Sequence, residues 1–220
     1  MVGGVRDGGF SRLDFNTYVR IVTFMPKPSL RDTILDAGLK TMFRTGYHGT
    51  SVRDVVAAAG APQGSFTNHF RSKEVFASEV LERYFTTVKG LVAQALDDSS
   101  LTPRARLGRY LEIITGRLET DGFSRGCLIG DLSLEASGSS ELLRTQLEKI
   151  FQEWREPFAA CIAEAQAAGE IAADFEPHSL AEFLLSSWQG AMLRMKVERS
   201  SAALDRFKTI VFQTTFKELS

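Results

Sequence analysis

The sequence has little of what marks secreted, metal-binding or membrane proteins. Its 220 residues include two cysteines and three histidines, and their spacing matches neither a disulfide scaffold nor a zinc site. No apolar run approaches the roughly 18 to 20 residues that a membrane span needs, and the first two dozen residues lack the apolar segment of a signal peptide. We therefore expect a cytoplasmic protein with reduced thiols, no metal and no cofactor.

Catalytic signatures are equally scarce. The chain contains no nucleophile elbow, no Gly-rich phosphate-binding loop and no metal-binding motif. Its histidines are His48, His69 and His178, and none belongs to a recognisable catalytic pattern. We therefore do not expect an enzyme.

The net charge of -1 conceals an uneven distribution along the chain. Residues 27–74 carry seven basic and four acidic side chains, a balance of +3, whereas residues 75–220 carry sixteen basic and twenty-one acidic ones, a balance of -5. A small basic segment on an acidic body suits a protein that touches a polyanion with one end only.

Helical periodicity begins at Ser29 and continues to the end of the chain. Residues 1–28 are glycine-rich and have no period, so we predict a disordered tail, or an extended start upstream of Met25. Apolar and polar residues never alternate long enough for a strand. The prediction is an all-α fold with a three-helix domain over residues 29–75 and a larger helical domain over residues 76–220.

The first domain has helix caps and turn residues at the spacing of a helix-turn-helix unit. The candidate helix caps are Ser29 for the first helix, Thr50 or Ser51 for the second, and Ser72 for the fourth. Gly46 can stop the first helix, and Gly60-Ala61-Pro62 forms a tight turn before a third helix over residues 63–70. This arrangement presents a helix to the major groove of DNA.

Candidate DNA contacts follow from side-chain chemistry. Gly64 and Ser65 keep the start of the third helix slim, so that backbone N–H groups can approach a phosphate. Gln63 and Arg53 have the reach and geometry to bind the edges of adenine and guanine, respectively. Short polar side chains suited to phosphate contacts are Thr50, Ser51, Thr67, Asn68 and His69. The alternative is an ordinary three-helix packing unit with capped helices.

Residues 29–75 resemble, without a gap, the DNA-binding domain of the TetR family of bacterial regulators. The segments that carry the resemblance are Thr50-Ser51-Val52-Arg53-Asp54-Val55, Gly64-Ser65-Phe66, Asn68-His69-Phe70 and Ser72-Lys73-Glu74. The resemblance implies that residues 63–70 form the recognition helix, that Thr50 and Ser51 meet a phosphate, and that Lys73 anchors the DNA backbone. Family members often carry Lys and Tyr in place of Gln63 and Thr67, so we expect weaker and less salt-dependent non-specific binding.

The second domain reads as a series of long amphipathic helices. They are predicted at about residues 73–95, 103–120, 126–136, 140–168, 178–199 and 202–218. The last two carry an apolar stripe that we assign to a dimer interface, as the resemblance implies: Leu180, Leu184, Ala191, Met195, Leu204, Phe207 and Val211. The alternative is that these helices pack inside the monomer.

The same domain contains candidates for a ligand-sensing site. Aromatic and Met side chains that could line a pocket include Tyr110, Phe151, Trp154, Trp188 and Met192. Cys127 lies at a predicted helix start beside Arg125, an environment that favours the thiolate. The alternative is that Cys127 only packs a helix start.

A branch of the TetR family that includes electrophile-sensing repressors has similar segments. These are Arg125-Gly126-Cys127-Leu128-Ile129-Gly130 and Trp188-Gln189-Gly190-Ala191 followed by Lys196. We therefore expect a homodimeric repressor that binds operator DNA and is released by a small-molecule effector, with an electrophile or oxidant acting at Cys127 as one candidate. Activation remains open, and the alternative function is a helical adaptor that binds another protein and has lost operator binding.

Overall fold

The computed structural model describes residues 29–219, which contain helices and no strand. The all-α prediction is therefore confirmed. The prediction for residues 1–28 lies outside the described residues. The helices are α1 (Leu30–Gly49), α2 (Val52–Ala58), α3 (Ser65–His69), α4 (Lys73–Leu96), α5 (Pro103–Thr120), α6 (Leu128–Ala136), α7 (Glu141–Ala167), α8 (Pro177–Glu198) and α9 (Ala202–Gln213). Among the described helices, none has the length and apolarity to cross a membrane.

Serine side chains cap three of the first four helices, as predicted. The hydroxyl oxygens of Ser29, Ser51 and Ser72 accept hydrogen bonds of 3.1 Å from the backbone N–H groups three residues later. Ser51, rather than Thr50, is thus the cap of α2. The Thr50 hydroxyl instead donates to the carbonyl oxygen of Gly46 at 2.6 Å.

Gly46 breaks α1 where the sequence predicts that the helix stops. Its φ of 73° lies in the region that favours glycine, although one more turn follows to Gly49. The continuation turns Tyr47 and His48 back toward the body of the molecule, where His48 contacts α6.

Two helices are shorter than predicted. The helix α3 starts at Ser65, because Gln63 and Gly64 belong to the turn that precedes it. The helix α9 ends at Gln213 instead of residue 218, because the chain turns there to bury Phe216 in the core. Arg104 holds this turn by donating to the carbonyl oxygen of Phe216 at 2.7 Å.

The helix α4 joins the small N-terminal unit to the helical body. At its start, Phe76 packs against Phe66 and Phe70, with ring centroids 5.1 and 4.8 Å away. Further along, α4 packs against α5 and α7, and α8 packs against α7 and α9. The helix α6 packs against α1, α4 and α7.

Candidate DNA-binding face and interior cavity

The helices α2 and α3, with the turn between them, present most of the predicted DNA contacts to solvent. Val55, Val56, Phe66 and Phe70 are buried and fix the two helices against each other. The predicted contacts that are exposed are Ser51, Arg53, Gln63, Gly64, Thr67, Asn68 and His69. Their side chains extend from a packed scaffold and could meet a polyanion without rearrangement of the core.

Thr50 and Ser65 do not belong to this exposed face. The side chain of Thr50 is 2% exposed, and its hydroxyl lies within hydrogen-bonding distance of both Gly46 and Thr45. Ser65 is buried at the start of α3. The prediction that the Thr50 side chain contacts DNA is therefore wrong, because it is enclosed by the packing of the helix-turn-helix unit. For Ser65 the prediction concerned only the approach of backbone N–H groups to a phosphate, and it stays a prediction.

Lys73 is half-buried against the end of α1. Its ammonium group lies 4.7 Å from the Tyr47 ring centroid and 3.4 Å from the carbonyl oxygen of His48. Burial lowers the pKa of Lys73, and the nearby Glu135 carboxylate partly offsets this effect. Lys73 therefore joins α4 to α1, and its contact with DNA remains a prediction.

A cavity of about 230 Å³, open to solvent on one side, lies between α1 and the body helices and brings together several predicted sensor residues; we call it the interior cavity. Cys127, at the start of α6, lines it together with Tyr110 of α5, Trp154 of α7 and Met192 of α8. Arg125 lies at the exposed rim, where its guanidinium pairs with Asp121 and lies 5.4 Å from the Phe43 ring centroid. Residues far apart in the sequence thus surround one space.

Tyr84 is one of the cavity residues that the sequence did not predict. Its hydroxyl lies 3.7 Å from the sulfur of Cys127. Tyr84 lies in the middle of α4 and belongs to no motif, so only the packing of α4 against α6 reveals the pairing. Burial raises the pKa of Tyr84 well above its usual value, and the Cys127 sulfur adds to the shift.

Tyr110 and Trp154 form a second polar pair in the cavity wall. Burial raises the pKa of Tyr110 far above its ordinary value, Cys127 raises it further, and the Trp154 indole partly offsets the shift. Both side chains are at most 3% exposed. Among the described residues, the Trp154 indole N–H is buried without a hydrogen-bond partner.

The other side of the α6 start faces a groove of about 340 Å³ along α8. Phe151 and Lys196 line this groove, and Cys127 and Met192 line both spaces. Lys196 donates to both carboxylate oxygens of Asp131 at 3.0 Å. Trp188 lines neither space: it is buried in the core with its ring centroid 5.4 Å from that of Phe207, so its prediction as a pocket residue is wrong.

Two glycines of the Arg125-to-Gly130 segment let α6 approach α8 closely. A Cβ atom at Gly130 would lie 2.9 Å from Oε1 of Gln189, and one at Gly126 would lie 3.4 Å from Cδ of Lys196. The two segments singled out in the sequence analysis are therefore in contact with each other. Their contact fixes the position of Cys127 between the cavity and the groove.

The opposite end of α6 contacts α1. The backbone N–H of His48 donates to Oε2 of Glu135 at 3.1 Å, and the His48 ring lies 2.8 Å from the backbone carbonyl oxygen of Glu135. A side chain at Gly46 would overlap the Glu135 carboxylate. We call these contacts of Glu135 with Gly46 and His48 the α1–α6 clasp.

The stripe predicted as a dimer interface lies inside the monomer. Its members Leu180, Leu184, Met195, Leu204 and Val211 are all buried, because this face of α8 packs on α7 and α9. Ala191 and Phe207 are half-buried. Those five residues are therefore wrong as interface residues, since their surface is already removed from water.

A second stripe of α8 is exposed. Residues at alternating spacings of three and four share this face, and they are Phe183, Ser186, Gly190, Leu193 and Val197. Phe183 and Leu193 are each about half exposed, and Val197 is 78% exposed. Large apolar side chains repeated on one exposed helix face are typical of a surface that another protein covers.

Two family profiles match the chain. Residues 34–80 match "Bacterial regulatory proteins, tetR family", and residues 103–211 match "Tetracyclin repressor-like, C-terminal domain". The chain is 42% identical over 189 residues to the transcriptional repressor DhaR of Mycobacterium sp. strain GP1, covering 86% of this chain and 93% of DhaR.

Solved structures with the same fold include the regulatory protein TetR from Rhodobacter sphaeroides, with a TM-score of 0.80 and 35% identity. The match covers 84% of this chain and 98% of that one. The reduced form of Escherichia coli NemR matches with a TM-score of 0.74 and 26% identity, covering 84% of this chain and 95% of NemR.

Proposed function

The chain belongs to the TetR family of bacterial regulatory proteins and is a DNA-binding transcriptional regulator, and we propose that it is a homodimeric repressor that a small molecule releases from its operator. In this proposal the exposed face of α2 and α3 binds operator DNA. The effector enters the interior cavity beside Cys127, and an electrophile or oxidant that modifies this thiol is one candidate.

The observation that carries the proposal is the position of α6. Cys127, at one end, lines the cavity, and Glu135, at the other, contacts α1 of the DNA-binding unit. The nine residues of α6 span about 13 Å, at about 1.5 Å per helical residue, and Leu39 and Phe43 of α1 line the cavity as well. A ligand that displaces the start of α6 would therefore alter the α1–α6 clasp and the placement of α2 and α3 on DNA.

The dimer of this proposal uses the exposed stripe of α8. Gly190 lies in the middle of the stripe, where its missing side chain permits a close helix crossing, and Leu193 and Val197 supply apolar area. Two copies related by a twofold axis would place two recognition helices on successive half-sites, about 34 to 36 Å apart on DNA.

Release of the protein from the DNA upstream of its own gene tests this function. We expect saturable binding to a fragment that contains a palindrome, and reversal by at least one member of a small-molecule panel that includes reactive carbonyls and quinones. Failure to bind any fragment at low salt would contradict the operator function and favour the adaptor alternative.

The role of Cys127 is tested separately with Cys127→Ser. This substitution preserves size and leaves DNA binding intact in the proposal, but it removes the nucleophilic sulfur. We expect it to abolish release by thiol-reactive compounds. Release that is unchanged in Cys127→Ser would show that the thiol is not the sensor, and Cys161→Ser is the matched control.

A further inference from the structure

The interior cavity is lined by several neutral hydrogen-bond donors, and charged side chains also line it: Arg117, Asp121 and Arg125. The Trp154 indole N–H lies near enough to the Tyr110 hydroxyl to lower the Tyr110 pKa, but the two groups do not meet hydrogen-bond geometry, so the buried N–H has no partner among the described residues. The Tyr84 hydroxyl and the Cys127 thiol lie on the same side of the cavity. An unpaired buried N–H costs free energy that a bound acceptor would recover.

The interior of this cavity does not suit a negative charge. The cationic groups that line it, Arg117 and Arg125, are on its exposed rim, and Arg125 is already paired with Asp121. The raised pKa values of Tyr84 and Tyr110 agree with this, because burial of these side chains disfavours the phenolate anion. A carboxylate bound beside Tyr84 and Tyr110, away from that rim, would lose its hydration without a neighbouring cation to compensate.

The size and walls of the cavity restrict the ligand further. Its volume of about 230 Å³ lies below the roughly 300 to 1,000 Å³ of sites for drug-sized ligands. Apolar side chains such as Leu39, Ile114 and Met192 make up much of the remaining wall. A ligand that fits must be small and largely apolar, and its polar atom must accept hydrogen bonds.

We propose that the cavity binds a small uncharged carbonyl compound, whose oxygen accepts hydrogen bonds from the Trp154 indole N–H and the Tyr110 hydroxyl. This inference rests on the proposed function in that it names the chemical class of the effector. It requires no covalent step, so an unreactive ketone binds in the same way as a reactive carbonyl compound.

Indole N–H resonances report on this contact directly. The chain has two tryptophans, so the ¹H–¹⁵N spectrum of the full-length protein has two indole signals, and Trp154→Phe assigns them. Titration with cyclohexanone should move the Trp154 signal downfield. The Trp188 signal serves as an internal control, because Trp188 lies in the core outside the cavity. An unmoved Trp154 signal at saturating cyclohexanone would overturn the proposal.

Two matched probes separate hydrogen bonding from simple filling of the cavity. Methylenecyclohexane has the shape of cyclohexanone without the acceptor oxygen, and cyclohexanecarboxylate carries a negative charge. We expect cyclohexanone to bind about three- to tenfold more tightly than methylenecyclohexane, the range for one net hydrogen bond, and more tightly than the carboxylate. Equal binding of the two isosteres, or preferred binding of the carboxylate, would contradict the proposal.

Substitutions of Trp154 and Tyr110 test whether these side chains donate the hydrogen bonds to the ketone oxygen. In Trp154→Phe and, independently, in Tyr110→Phe, the preference for cyclohexanone over methylenecyclohexane should fall while methylenecyclohexane still binds. A preference that persists in both variants would show that the acceptor lies elsewhere. The measured quantity is the ratio of the dissociation constants of the two ligands for the same variant. A general loosening of the cavity weakens both ligands alike and leaves this ratio unchanged.

Binding of a carbonyl compound in the cavity and release of DNA are measured separately, so either can fail without the other. If cyclohexanone moves the Trp154 signal but never releases DNA, the carbonyl site stands and regulation through the cavity fails. If another compound releases DNA while no carbonyl probe affects the Trp154 signal, regulation stands and the assignment of the ligand class fails.

Discussion

Gly46 has a backbone conformation that favours glycine, and it also contacts α6, the helix that joins the cavity to the DNA-binding unit. Its φ of 73° disfavours any side chain, and a Cβ atom would overlap the Glu135 carboxylate. Both effects lower the stability of a substituted protein. A side chain at this position should strain the backbone of α1 and also push apart the α1–α6 clasp.

We predict that Gly46→Ala lowers the free energy of unfolding by about 1 to 3 kcal/mol, as measured by urea denaturation. The matched control is Gly90→Ala, in the interior of α4, where an added Cβ atom meets nothing within 4 Å. That control should stabilise the protein by up to about 1 kcal/mol. Equal effects of the two substitutions would contradict this account of Gly46.

The contribution of Cys161 to the stability of the folded protein should depend on pH. Burial raises its pKa to about 11, and its sulfur lies 3.2 Å from the carbonyl oxygen of Pro103. The folded protein therefore keeps the Cys161 proton longer than the unfolded chain does, so this group's contribution to stability falls as the pH rises from the ordinary thiol range toward 11.

At pH 8 only about one Cys161 side chain in a thousand is ionised in the folded state. In Cys127→Ser, where Cys161 is the remaining cysteine, we predict very slow alkylation by iodoacetamide at pH 8 and a rate that rises about tenfold per pH unit. Unfolding in urea should give the rate of an ordinary thiol. Rapid alkylation of the folded variant at pH 8 would show that the site is open.

The limits of sequence-based prediction are clear at the residue scale. Serine caps are local, because the cap and the N–H group that it binds lie three residues apart, and Ser29, Ser51 and Ser72 were predictable for that reason. Burial of Thr50 and pairing of Tyr84 with Cys127 depend on residues distant in the chain. No local pattern marks either.

Among the elements, α6 connects the cavity to the DNA-binding unit. We predict that Glu135→Ala increases amide hydrogen exchange at His48, because the backbone N–H of His48 loses its acceptor. Glu135→Gln is the matched control, because its amide oxygen can still accept this hydrogen bond. If Glu135→Ala and the parent protein exchange equally at His48, the clasp does not order the end of α1.

The helices themselves were largely predictable, but their faces were not. Helical periodicity identifies α8, yet apolar residues lie on two of its faces: Leu184 and Met195 are buried, whereas Leu193 and Val197 are exposed. Only the packed structure shows which face the monomer already covers. The early end of α9 has a similar cause, since burial of Phe216 overrides a helical pattern that continues in the sequence.

At the scale of the whole molecule, the exposed face of α8 determines assembly in our proposal. We predict that Leu193→Glu converts a dimer into monomers in analytical ultracentrifugation, because a carboxylate would be buried at the helix crossing. The control is Leu142→Glu on α7, a similarly exposed leucine outside this face. A dimer that survives Leu193→Glu would place the interface elsewhere.

The two parts of the chain differ in the sign of their net charge. Residues 27–74 have a balance of +3 and residues 75–220 a balance of -5, so DNA should attract the helix-turn-helix unit and repel the body. This orientation agrees with the exposed positions of Arg53 and Gln63 at the same end. Few cationic contacts imply moderate rather than steep salt dependence.

Operator binding by this protein is tested directly by an anisotropy titration of the full-length protein onto labelled DNA from upstream of its own gene, repeated at several salt concentrations. We expect saturable binding by two chains per site, with an affinity that falls by roughly tenfold or more between 50 and 200 mM salt. Absence of binding at 50 mM salt, or binding that salt does not weaken, would contradict this expectation.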